Sequence, residues 1–110
     1  MTSFSTKATF NDMLSAAAGV FRDDWPALKD YAEGELKKLA ETGATVTKLY
    51  ASGAISKAEA KALVEMQKNT ARTVMLTIQG IGLIIAEKAV NAVLKVLRAA
   101  VNTAVGVKLL

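Results

Sequence analysis

The carboxylates are the side chains here with the clearest catalytic repertoire, because the chain contains no His and no Cys. That removes imidazole acid–base catalysis, imidazole metal ligation, thiolate nucleophiles and disulfides. The acids themselves form no working pair. Asp23 and Asp24 are adjacent in "DDWP", which reads as a helix start. Glu33 with Lys37 is an ordinary one-turn surface spacing. Glu87 stands alone among the last 45 residues, beside Lys88, and reads as a member of an ion pair because no second acid is placed to assist it. Gly80 and Gly82 lie in a helical pattern rather than after a strand, so they form no phosphate loop. The chemistry therefore points to a protein that is not an enzyme, with no catalytic residues, no cofactor and no metal.

The basic residues offer binding instead. Residues 1–55 carry six basic and seven acidic side chains, whereas residues 56–110 carry eight and three. Lys57, Lys61, Lys68 and Arg72 share one helical stripe suited to phosphates. Glu65 interrupts that neighbourhood and no aromatic residue interleaves with it, so a solvated face is favoured over nucleic acid. Lys88, Asn91, Lys95, Arg98 and Asn102 share a second stripe, rotated from the first by roughly 130° on a helical wheel. Lys88, Lys95, Arg98 and Lys108 are the candidate contacts for an anionic partner such as a membrane surface. Asn91 and Asn102 suit either interhelical hydrogen bonds or solvent.

The elements that carry these residues are helical. Apolar residues make up 52% of the 110, aromatics only 5%, and Pro occurs once. This predicts an all-α single domain over residues 1–110 with helices near 10–21, 26–51 and 57–105. Thr9 and Asp12 have capping-box-like spacing before Phe10, Met13, Leu14, Ala17 and Phe21. Asp24 suits an N-cap and Pro26 a first turn. Leu28, Ala32, Leu36, Leu39, Val46 and Tyr50 supply a stripe along the second helix, with Gly43 near it as a point of close approach. Trp25 reads as a packing anchor, and Tyr31 and Tyr50 as half-buried. Gly53 suits a left-handed cap. Ser56 and Glu59 form a capping box, with Ile55 before it as a staple. The short link at residues 52–56 predicts an antiparallel hairpin of helices two and three.

The third helix decides the functional reading. One seam follows its whole length through Ala60, Leu63, Val64, Ala71, Val74, Ile78, Ile81, Ile85, Ala89, Ala92, Val96 and Ala99. A second apolar face, Leu83, Ala86, Val90, Val93, Leu94, Leu97 and Val101, is added in its later half. A continuous rod of this length outruns helix two, and the shorter helix one cannot cover both faces. The C-terminal part is therefore expected to extend into an oligomer interface formed by Ile78, Ile81, Leu83, Ile85, Val90, Val93, Leu94, Leu97 and Val101. Gly80 and Gly82 mark a hinge, a close packing point or tolerated glycines.

"GIG" at Gly80–Gly82 and "AVLKVL" at Ala92–Leu97 resemble the opening of the melittin-type lytic amphipathic peptides. Nine residues are inserted between the two pieces, and no strongly basic tail follows. The resemblance implies that this composition suits a lipid interface as well as a protein groove. No signal peptide is legible, and the longest uncharged run, Thr73–Ala86, is shorter than the ~20 residues that span a bilayer. The expectation is a self-assembling helical structural protein, a homo-oligomeric subunit of a virion or other particle that meets further assembly proteins. The alternative is a peripheral, membrane-perturbing protein. A virion or the cytoplasm fits the first reading, and neither is indicated by a targeting segment.

Overall fold

The computed structural model describes residues 4–77 and 82–110. Four α-helices account for nearly all of them: α1 (Thr6–Phe21), α2 (Trp25–Ala51), α3 (Lys57–Leu76) and α4 (Leu83–Val105). A 3-10 turn, Arg22–Asp24, joins α1 to α2, and no strand occurs among the described residues. The all-α class follows from the composition.

The caps explain where each helix begins and ends. Ser5 starts α1 by accepting a hydrogen bond from the Ala8 backbone N–H at 3.2 Å. This corrects the Thr9 start: the helix opens a turn earlier, and Thr9 is buried within it. Asp24 does not cap α2 with its side chain, because the 3-10 turn already gives it helical dihedrals. At that corner Arg22 has φ 53, rare for a residue with a Cβ. Gly53 takes φ 79 after α2. The capping box of α3 is complete: Glu59 N–H donates to Ser56 Oγ at 3.1 Å, and Ser56 N–H donates to Glu59 Oε1 at 3.0 Å. Gly106, at φ 79, closes α4 with a left-handed turn.

The expected rod over residues 57–105 is two helices. α3 stops at Leu76, and Gly82, in extended conformation, precedes α4. Gly80 lies outside the described residues. A Cβ on Gly82 would meet nothing within 4 Å, so Gly82 is not a close packing point. The break lets α4 run back along the bundle. Arg72 on α3 reaches Glu87 on α4 at 2.8 Å, and farther along, Lys61 and Arg98 line one cleft, so these helices run in opposite directions. α4 packs chiefly against α1, also against α2 and α3, and α2 packs against α3.

This return overturns the expected uncovered face. Val90, Val93, Leu94, Leu97 and Val101 are at most 1% exposed within the chain's own core. They pack in one cluster with Met13, Ala17 and Phe21 of α1 and Leu36, Leu39 and Val46 of α2. Five of the nine expected interface residues are thus interior. The expected seam is mixed along α4: Ala89 is buried, Ala92 and Val96 are half-buried, and Ile85 and Ala99 are exposed. Helix one suffices as a cover because it need shield only one side of a helix that α2 and α3 also flank.

Close packing does occur at Gly43. A Cβ there would stand 2.6 Å from Leu97 Cδ1 and 2.9 Å from Phe4 Cζ, so the space is filled by side chains rather than by another backbone. Phe21 and Trp25 stack with ring centroids 6.1 Å apart, fixing the α1–α2 corner. Tyr50 is half-buried, whereas Tyr31 is 63% exposed and no part of the core.

Candidate interaction surfaces

Among the described residues, four of the seven large apolar side chains left in solvent share one end of the bundle, while Tyr31, Met66 and Val107 are exposed elsewhere. Leu76, in the last turn of α3, is 40% exposed. Leu83, Ile84 and Ile85, in the first turn of α4, are 59%, 72% and 40% exposed. They share an end because α3 finishes and α4 begins there. Of the expected interface residues, only Leu83 and Ile85 are therefore both described and exposed; Ile78 and Ile81 lie outside the described residues. Leu76 and Ile84 were missed by the sequence reading. Ile84 had a legible signal, since it continues the outward stripe of Lys88, Asn91 and Lys95 by one turn.

The basic residues do not gather at this end. Lys88, Lys95, Arg98 and Lys108 are all exposed. The two stripes that were far apart on one rod approach each other across α3 and α4. Lys61 and Arg98 face a cleft of about 290 Å³ together with Val64, Glu65 and Leu110. Acids temper that face: Lys68 pairs with Glu65 at 3.1 Å, and Arg72 with Glu87 at 2.8 Å. Lys57, Lys61, Lys88, Lys95, Arg98 and Lys108 take part in no ion pair among the described residues.

A wider groove, about 640 Å³, lies between α1 and α2. Half-buried Phe10 and Leu14 give it an apolar floor, and Lys7, Asn11, Glu33 and Lys37 stand at its edges. Gly34 leaves it open, for a Cβ at that position would meet nothing within 4 Å. A glycine inside a long helix was the available sequence signal, and it was not read as one.

Asn102 is neither interhelical nor free. Its Oδ1 accepts from the backbone N–H groups of Leu109 and Leu110, both at 2.9 Å. It thereby folds the tail back so that Leu109 is 1% exposed. Among the described residues no group of three or more His, Cys, Asp or Glu is placed to hold a metal ion, and no helix is long and apolar enough to cross a membrane.

No family model, curated protein or solved structure matches the chain.

Proposed function

We propose that the protein is a non-enzymatic, self-assembling helical structural protein, a subunit of a multi-subunit particle that makes its contacts through the exposed end of α3 and α4. The supporting observation is the grouping of Leu76, Leu83, Ile84 and Ile85 in solvent at one end of the bundle, whereas Met66 and Val107 are exposed singly. An aliphatic side chain gains about 1.5–3 kcal/mol on full burial, so these four reward a contact that covers them. The interface is smaller than the sequence suggested, because most of α4's apolar surface serves the monomer.

Sedimentation at micromolar concentration tests this, without detergent or lipid. The parent is expected to exceed its monomer mass, and Ile84→Glu is expected to lower the mass while leaving the helices intact, since Ile84 is 72% exposed. A parent that stays strictly monomeric overturns the reading.

A lipid surface is the second reading, favoured by Arg72 and Lys88 lying about one turn back from the apolar end on their helices. Asp23, Asp24 and Asp30, at the α1–α2 corner, oppose it on anionic membranes. Flotation with anionic liposomes at low salt separates the two readings: material that stays with the soluble fraction argues against lipid.

A further inference from the structure

We infer that the assembly is heterologous, with the first turn of α4 on one copy seated in the groove between α1 and α2 of the next. This rests on the assembly reading above and specifies its partner surface. The end and the groove are different places on one chain, so their pairing leaves a free end and a free groove on every complex that has not closed into a ring. Such contacts build rings or open filaments, whereas end-to-end pairing stops at a dimer.

Three observations favour the groove as the receiving surface. Gly34 sits inside the 27-residue helix α2, where glycine weakens a helix. Nothing in the monomer requires it, since a Cβ would meet no atom within 4 Å, in contrast to Gly43. The absent side chain keeps open the space above Phe10 and Leu14, which an incoming helix can enter. The groove, about 640 Å³, is broad and open, so side chains of an incoming helix can lie in it.

The charges also match. On the incoming helix Glu87 and Lys88 follow directly after the apolar turn, and on the groove Glu33 and Lys37 stand one helical turn apart. Lys88 meets Glu33, and Lys37 meets Glu87, whose carboxylate, 37% exposed, already pairs with Arg72 at 2.8 Å and is shared by the two cations. Glu33, Lys37 and Lys88 have no ion-pair partner among the described residues. A standard interface buries ~800 Å² per partner, so a contact that adds the groove walls is favoured over four side chains meeting their own copies.

The test uses two variants of the full chain. Ile84→Glu blocks the end and keeps the groove; Gly34→Gln fills the groove and keeps the end, with a residue that suits a helix. Circular dichroism checks that both are folded. Each alone is expected to sediment at the 11.6 kDa of one chain. Mixed in equal amounts, they are expected to form a complex of twice that mass and no larger, because the one good end meets the one good groove. Lys37→Glu, a change at an exposed position, reports on the groove if Gly34→Gln does not fold, and it is expected to weaken assembly at least tenfold at low salt. If the parent assembles but both groove variants assemble like it, or the mixture stays at one-chain mass, the heterologous contact is wrong while assembly stands. If the parent is monomeric, both ideas fall.

Discussion

Glu35 is the residue least consistent with its surroundings. It is only 9% exposed, among the apolar positions of α2. One carboxylate oxygen meets Lys38 Nζ at 3.3 Å, while Oε2 finds no hydrogen-bond partner among the described residues. The Lys38 side chain is 59% exposed, so the ion pair is screened and offsets little. An unmatched buried oxygen costs roughly 1–3 kcal/mol. Glu35→Met keeps the length, removes that cost and leaves Lys38 in water. It is expected to raise stability by about 1–2 kcal/mol, seen as a higher urea midpoint with an unchanged slope. Stability equal to or below the parent's would show that the second oxygen is satisfied.

At the scale of elements, helices were legible wherever local chemistry sets them, and the topology was misread where it does not. The Ser56–Glu59 box and Gly53 are signals within a few residues of the boundary they mark. The break after Leu76 is different: residues 73–86 are uncharged and keep a helical period, so the pattern reads straight through it. Once a single rod was assumed, the wide apolar arc of α4 had no cover within the chain, and the interface followed. Gly80 and Gly82 marked the place, but their presence does not distinguish a bend from a tolerated glycine. The exposed end had one legible sign, Ile84, an apolar residue continuing a stripe that is otherwise basic and polar. Leu94 shows the consequence. As an interface residue it would tolerate Leu94→Glu in the monomer; at 1% exposure in the core it cannot. An unpaired carboxylate there is expected to cost several kcal/mol and to abolish the cooperative thermal transition. A folded, merely less assembled Leu94→Glu would restore the rod.

The whole molecule is an elongated bundle of 43 × 22 × 19 Å, about as long as α2 at ~1.5 Å per residue. Its core is made from all four helices of one chain, so folding does not wait for a partner. Under the proposed assembly, stability and assembly are expected to be separable, unlike in an obligate oligomer whose unfolding midpoint shifts with concentration. Ile84→Glu is expected to unfold within about 0.5 kcal/mol of the dissociated parent, the range for an exposed substitution. Its thermal midpoint is expected to be the same at ten- and hundredfold different concentrations. A strong concentration dependence in that variant would mean that the monomer is incomplete. Charge is also divided at this scale: residues 56–110, which build α3 and α4, carry an excess of five positive charges over their acids, while residues 1–55 are nearly balanced. Salt is thus expected to act on contacts made by α3 and α4 more than on the core.

The packing of α1 on α4 has a kinetic consequence. Ser5, Thr9 and Asp12 share a cleft with Val96, Ala99, Ala100 and Thr103, so α1 closes against α4, the helix farthest from it along these residues. Its apolar side, Met13, Ala17 and Phe21, leaves the ribosome long before Leu94 and Leu97 exist to complete its burial. The α2–α3 contact closes a short loop and can form early, while α1–α4 contacts span most of the chain and carry the larger loop-closure entropy. Truncating Leu39 to Ala is expected to slow refolding, whereas truncating Leu97 to Ala is expected mainly to speed unfolding. Until α4 arrives, the apolar side of α1 has only α2, among the described helices, to cover it.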